Sequence, residues 1–136
     1  MLVRRLGPEE WRVAYGIVAQ LWQLHEAEFI RRVELQSTSG YELVGVFLDG
    51  ALVGVMGMRP VHTLARGQHL HIDDLVVDAN ARGSGAGRAL IEFAERDARN
   101  RGMAAIFLDA RPEAMPFYEA LSFVVHSSPS MKKLLG

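Results

Sequence analysis

Cysteine is absent from the 136 residues, which excludes disulfide staples, thiolate metal sites and a cysteine nucleophile together. Neither sign of charge dominates, since 15 Lys and Arg stand against 16 Asp and Glu. Nothing in that balance draws the chain to nucleic acid or to an anionic membrane surface. No apolar run reaches the ~18 residues of a spanning helix. The opening Met1-Leu2-Val3-Arg4-Arg5 lacks the apolar core of a signal peptide, so a cytoplasmic location is the expectation. Internal repeats, linkers and low-complexity tracts are missing too. What is there is 49% hydrophobic and 23% charged, the balance of one globular domain over residues 1–136.

Leu2 to Leu6 reads as an edge strand. Gly7-Pro8-Glu9-Glu10 then reads as a helix start, with proline at the first helical position and two acids facing the positive helix end. Trp11, Ala14, Val18, Leu21 and Trp22 recur at helical spacing and are expected to face the core. A second helix is expected from about Glu26 to Gln36. Tyr41 to Leu48 and Ala51 to Met58 read as strands joined by Asp49-Gly50, a two-residue hairpin signal. Both are apolar at nearly every position, so both faces of the sheet should be covered. Gly45, Gly54 and Gly57 are costly inside strands and point to bulges or to close approach of another segment. Pro60 is expected to stop the second strand, leaving His62 to Gln68 as a loop. Beyond Gly102, a strand is expected over Ala104 to Ala110, a short helix from Arg111 through Leu121, and a strand over Phe123 to His126. Met131 to Leu135 is a last short strand or a tail.

The most informative stretch runs from His69 to Ile91. Ile72 and Leu75 to Val77 suit a buried strand. Leu90, Phe93, Ala94 and Ala98 mark an amphipathic helix. Between them Gly83, Gly85 and Gly87 alternate with Ser84 and Ala86, flanked by Arg82 and Arg88. Glycine lets backbone approach a ligand closely, and the first free N–H groups of a helix attract anions. A phosphate or pyrophosphate cradle is the inference. The alternative is an ordinary tight strand-to-helix turn, though three alternating glycines exceed what a turn needs. A P-loop would require a lysine after the glycines, and a dinucleotide loop would place the third glycine one residue later.

The order Arg82-x-x-Gly85-x-Gly87 resembles the acyl-CoA signature R/Q-x-x-G-x-G/A of the GNAT family of N-acetyltransferases. Asp73-Asp74-Leu75-Val76-Val77 looks like that family's fourth strand, and Phe117-Tyr118-Glu119-Ala120-Leu121-Ser122-Phe123 like its F-Y-x-x-x-G-F segment, with Ser122 in place of glycine. The resemblance covers about residues 69 to 123. It implies an α/β fold, a mixed central β-sheet flanked by helices on both faces in the order β-α-α-β-β-β-α-β-α-β. It also implies acetyl-CoA as co-substrate, an amine acceptor, direct transfer without a covalent enzyme intermediate, no metal, and a homodimer. By the same resemblance the backbone of Leu75, Val76 and Val77 takes the pantetheine arm. Arg82, Gly83, Ser84, Gly85, Ala86, Gly87 and Arg88 take the pyrophosphate, and the Tyr118 hydroxyl lies near the CoA sulfur as acid. Asp109-Ala110-Arg111-Pro112 stands where many members carry an asparagine that contacts the cofactor.

For the base, strand parity puts His69, His71 and Asp73 on one face and Leu70, Ile72 and Asp74 on the other. Asp73 matches the position where several family members use a glutamate. An aspartate titrates near ~3.9, so it would need burial or its neighbour Asp74 to raise it, whereas histidine titrates near ~6.5 and needs no shift. The candidates for proton transfer are therefore Tyr118, Asp73 and His71. Three alternatives remain: strand-end hydrogen bonding or amine binding for Asp73, partly exposed strand histidines, and a His-His-Asp metal site. Asp74, on the parity of the core residues, reads as a structural acceptor. At the level of the whole chain, the rival functions are a CoA-binding sensor without catalysis and a nucleotide-binding α/β enzyme.

Overall fold

The computed structural model describes residues 1–126 and 128–136. Five strands form one sheet in the order β1 (Leu2–Arg5), β2 (Glu42–Leu48), β3 (Ala51–Thr63), β4 (Gly67–Val77) and β5 (Ile106–Leu108). The first four are antiparallel, and β5 runs parallel to β4. The sheet is mixed and covered on both faces, as the uniformly apolar strands require. On one face Val44, Val46, Met56, Met58, Leu70 and Ile72 pack under Leu90, Ile91 and Ala94 of α3 (Ala86–Asn100). On the other, Leu43, Val55 and Val76 meet Ala14, Ile17 and Val18 of α1 (Trp11–Val18) and Phe29 and Val33 of α2 (Glu26–Ser37). Each such fully buried aliphatic side chain contributes about 1.5–3 kcal/mol.

Several sequence expectations are corrected. Pro8–Glu10 is a 3-10 turn rather than the first turn of the helix proper, and α1 ends at Val18. Trp22 therefore leaves the core stripe and is 43% exposed. Pro60 does not stop β3, which runs on to Thr63. Beyond Met58 the neighbouring strand β2 has ended, so β3 has a free side there, where a proline without N–H is tolerated. His62 and Gln68 are consequently paired strand residues, not loop. β5 is three residues long instead of seven, followed by a 3-10 turn and α4 (Met115–Ala120). Phe123 to His126 form no strand, and neither do Met131 to Leu135. The sheet thus ends at β5, because nothing pairs along that strand's outer edge among the described residues. The Asp49-Gly50 hairpin is as expected, both residues having positive φ (51° and 82°).

Two features of β4 shape the site. Its pairing with β5 stops at Ile72 opposite Leu108. From Asp74 to Val77 its backbone is laddered to β3 alone, and a gap opens on the other side. The register also shifts between Gly57 and Met58, which face Asp74 and Ile72, so Asp73 is the extra, bulged residue.

Candidate active site

The gap between β4 and β5 is a cleft of about 980 Å³. Its walls are Asp73 to Val77, the turn Ala81 to Arg88, Gln20 to Trp22, Asp109 to Arg111, and Tyr118 with Phe117. One end is made of backbone. Gly83 and Gly85 have φ of 83° and 90°, values that only glycine adopts without strain. Gly85 is the N-cap of α3, whose first-turn N–H groups lack helical partners and point out of the helix end. The Ser84 hydroxyl takes one of them, that of Ala86, at 3.3 Å. Arg82 and Arg88 are exposed on either side, and among the described residues neither has a carboxylate within ion-pair distance. Gly87 has a different reason for being glycine, since a Cβ there would sit 3.1 Å from the Phe117 ring. It lets α4 close against α3. Ala86 is buried under the turn. Leu75 and Val77 turn toward α3, and Val76 toward α1 and α2.

Tyr118 lines the middle of the cleft, its ring edge-on to Phe117 at 5.0 Å and to Phe123 at 5.6 Å. Burial pushes its phenol above the ordinary tyrosine range, so it is a protonated donor at neutral pH.

The other end is made of side chains, and the bulge decides which. With Asp73 as the extra residue, parity flips between Ile72 and Leu75. Asp74 does not join Leu70 and Ile72 as expected, but turns to the α1/α2 face. It still acts as an acceptor, there taking the Tyr41 hydroxyl on Oδ2 at 2.6 Å and the Trp22 indole N–H on Oδ1 at 2.8 Å. Gly57, its partner on β3, must be glycine because a Cβ would collide with the Tyr41 hydroxyl. Burial and the Asp74 carboxylate hold the Tyr41 phenol far above its usual range. Trp22 is covered by Arg111, whose guanidinium lies 5.2 Å from the ring centroid and donates to Leu21 O at 3.3 Å. Gln20 ties the same loop to the start of the glycine turn, bonding Asp78 at 3.1 Å and the Ala79 N–H at 3.0 Å.

Asp73 accepts from Arg59 Nε at 2.7 Å, and its other oxygen lies 3.1 Å from His71 Nδ1. Burial raises the Asp73 carboxyl, but the contacts with His71 and Arg59 outweigh it and hold it below the ordinary carboxylate range. The expectation that burial or Asp74 could raise it into a base is corrected: at neutral pH Asp73 is an ionised, paired carboxylate. Of this face Asp73 lines the cleft; His71 beside it is not among the lining residues, and neither is His69. It is 2% exposed, contacts Gly67 O through Nδ1 at 3.1 Å and packs edge-on to Phe107 at 4.9 Å. Among the described residues no group of three metal-ligating side chains converges.

A scan of family models matches residues 8–123 to the acetyltransferase (GNAT) family. The chain belongs to the GNAT family of acetyltransferases. An uncharacterised N-acetyltransferase, YhdJ, of Bacillus subtilis (strain 168) is 31% identical over 126 residues, 88% of each chain. A glucosamine 6-phosphate N-acetyltransferase of Trypanosoma brucei brucei is 37% identical over 79 residues, 57% of this chain and 54% of that one. Among solved structures, a Trypanosoma brucei acetyltransferase superposes with a TM-score of 0.82 at 26% identity, over 98% of this chain and 99% of that one. GNAT enzymes use acetyl-CoA as co-substrate. In this GNAT chain the glycine turn, Tyr118 and Asp73, all singled out in the sequence, line one cleft. Trp22, Tyr41 and Arg59, which sequence reasoning did not single out as site residues, bond to Asp74 and Asp73 beside it. Trp22 fitted a helical stripe that ends too early. Arg59 could have been found only by knowing the β3–β4 register.

Proposed function

We propose that this GNAT enzyme moves an acetyl group from acetyl-CoA to a primary amine of a small molecule or peptide by direct transfer. The observation that carries this reading is the bare backbone of β4. Leu75 to Val77, unpaired on the β5 side, run from the His71–Asp73 pair to the glycine turn and pass Tyr118 on the way. Acetyl-CoA supplies the activated acyl group. The Leu75–Val77 backbone would pair with its pantetheine arm as an added strand. The Arg82–Arg88 turn would hold its pyrophosphate through free N–H groups, with Arg82 and Arg88 adding charge. The fit is supported by the positive φ of Gly83 and Gly85, 83° and 90°, which puts bare backbone along the cleft wall ahead of α3. The pair His71 and Asp73 takes the amine's proton, and Tyr118 donates to the departing thiolate. No step calls for a metal. The donors and acceptors in the cleft favour catalysis over a CoA sensor.

The acceptor enters from the Trp22 and Arg111 side. The named activity of the trypanosomal relative makes glucosamine 6-phosphate the first acceptor to try. A cytoplasmic, homodimeric enzyme fits the cysteine-free sequence and the exposed Val124, Val125, Met131, Leu134 and Leu135 of the tail. Nothing in the charge balance or in the cleft calls for nucleic acid or a membrane, and no helix among the described residues is long and apolar enough to cross one. Calorimetric titration with acetyl-CoA, NADH and ATP tests the cofactor, and thiol release against an amine panel tests the transfer. Selective acetyl-CoA binding with amine-dependent thiol release is the expected result. Preference for NADH or ATP overturns the assignment.

A further inference from the structure

On the acceptor face of the sheet, Arg59 and His71 stand directly opposite each other on β3 and β4. The bulged Asp73 reaches across to both. Arg59 Nε holds Oδ2 at 2.7 Å, while Oδ1 lies 3.1 Å from His71 Nδ1. We propose that Arg59 is a positioning residue for acetyl transfer: it occupies one oxygen of Asp73 and turns the other to His71 Nδ1, so that His71 takes the acceptor's proton at Nε2 and Asp73 does not. This rests on the N-acetyltransferase reading of the cleft.

Three observations carry it. A carboxylate bonded to a guanidinium is a strong acceptor but a reluctant base, because protonation would break a charge-assisted bond. His71 Nδ1 is buried with no other polar partner than Asp73 Oδ1, which approaches to 3.1 Å without the alignment of a formed hydrogen bond, while a fifth of the side chain is exposed. When that contact closes into a hydrogen bond, as it would on binding, the carboxylate fixes the proton on Nδ1 and leaves the lone pair on Nε2. The step balances. The amine nitrogen bonds the acetyl carbon, its proton passes to His71 Nε2, the C–S bond breaks, and Tyr118 donates to the thiolate. Other charged or titratable groups on the neighbouring strands have partners of their own. On β4, Asp74 is bonded to Trp22 and Tyr41, and His69 is packed on Phe107. Tyr41 precedes β2 and is held protonated by its burial. On β5, Phe107 faces His71 in register, with the Arg66 guanidinium 4.0 Å from its ring centroid and the His126 ring edge-on at 5.6 Å.

The test is the pH profile of kcat/KM for the acceptor, with acetyl-CoA affinity measured alongside. His71→Gln is expected to lower kcat by about 10²–10⁴ and to abolish the acid limb. Arg59→Met removes a cation that opposes imidazolium formation, so the acid limb moves to higher pH and kcat falls about tenfold. Arg59→Lys returns the limb to its original position. Asp73→Asn moves the limb the opposite way, to lower pH, without abolishing it. Acetyl-CoA affinity stays level throughout. An unmoved limb in Arg59→Met, or a limb lost in Asp73→Asn and kept in His71→Gln, overturns the proposal. A second readout needs no turnover. Nitrogen NMR of the wild-type imidazole at high pH should show the proton on Nδ1, and a proton on Nε2 overturns the proposal as well. If wild-type protein acetylates no amine, the N-acetyltransferase reading fails separately, and the tautomer still reports on Arg59 and Asp73.

Discussion

The two ends of the cleft are built from different materials. The proposed phosphate end is backbone from one continuous stretch, the unpaired edge of β4 running into Gly83, Gly85 and the start of α3. The proposed acceptor end draws on side chains from five places, in the cleft wall or bonded to it: Trp22 after α1, Tyr41 before β2, Arg59 on β3, the His71–Asp74 run on β4, and Arg111 after β5. The first needs only glycine in the right spots and a helix behind it. The second depends on the register of β3 against β4 and on one bulge. On the proposed reading, the cofactor is held by a short string of residues and the acceptor is chosen by the way distant residues meet.

Tyr118 stands between the two ends and gives the largest expected effect. Tyr118→Phe keeps the ring packing on Phe117 and Phe123 and removes only the donor. kcat should fall by about 10²–10⁴, while acetyl-CoA affinity by calorimetry should hardly change. Equal losses in both would make Tyr118 a binding residue of the phosphate end instead.

The phosphate end can be broken at one glycine and merely loosened at another. Gly85→Val places a β-branched residue at φ 90°, which costs on the order of 1–3 kcal/mol. It also puts bulk where the proposed cradle would bring backbone up to a phosphate, so acetyl-CoA affinity should fall by about 10- to 100-fold. Gly87→Ala meets the Phe117 ring instead, at 3.1 Å. That change should lower Tm more than it lowers affinity. A folded Gly85→Val variant with unchanged affinity would mean that the turn is only a turn.

The same contrast explains what is legible in the sequence. Asp49-Gly50, the apolar strands and the glycine turn are local signals, and the structure agrees with each. Simple parity along β4 holds as far as Ile72 and fails at Asp74, because one extra residue reverses every side chain beyond it. The glycines at 45, 54 and 57 announce a bulge or close approach, and Gly57 has both, lying at the register shift and under Tyr41. Their positions cannot say which residue of β4 is the extra one. Pro60 looks like a stop because its freedom depends on where β2 ends, a fact about another strand. The expected last strand at Phe123 to His126 has suitable composition, but β5 offers it only three residues of edge.

At the acceptor end, Gly57→Ala should have a moderate effect. The added Cβ collides with the Tyr41 hydroxyl and lies 2.8 Å from Asp74 Oδ2, so the buried Tyr41–Asp74 bond must shift. Overpacking of this kind costs about 1–3 kcal/mol, or roughly 3–10 °C in Tm for a domain of this size. Acetyl-CoA affinity should stay the same.

The smallest effect is expected from Trp22→Phe, and it bears most directly on the division between the two ends. Phenylalanine keeps an aromatic face for Arg111 but loses the N–H that donates to Asp74 Oδ1 at 2.8 Å. Trp22 is 43% exposed, and water can replace the lost donor, so stability should change by no more than about 1 kcal/mol. The loop from Gln20 to Trp22 would then be tied down through Gln20, at Asp78 and Ala79, and through the Arg111 bond to Leu21 O. If acceptor binding depends on that loop being pinned over Asp74, the acceptor KM should rise a fewfold while the acetyl-CoA affinity and kcat at saturation hold. A rise in acetyl-CoA Kd instead would mean that Gln20 and Trp22 form one unit, and that the loop couples the two ends of the cleft rather than serving one of them.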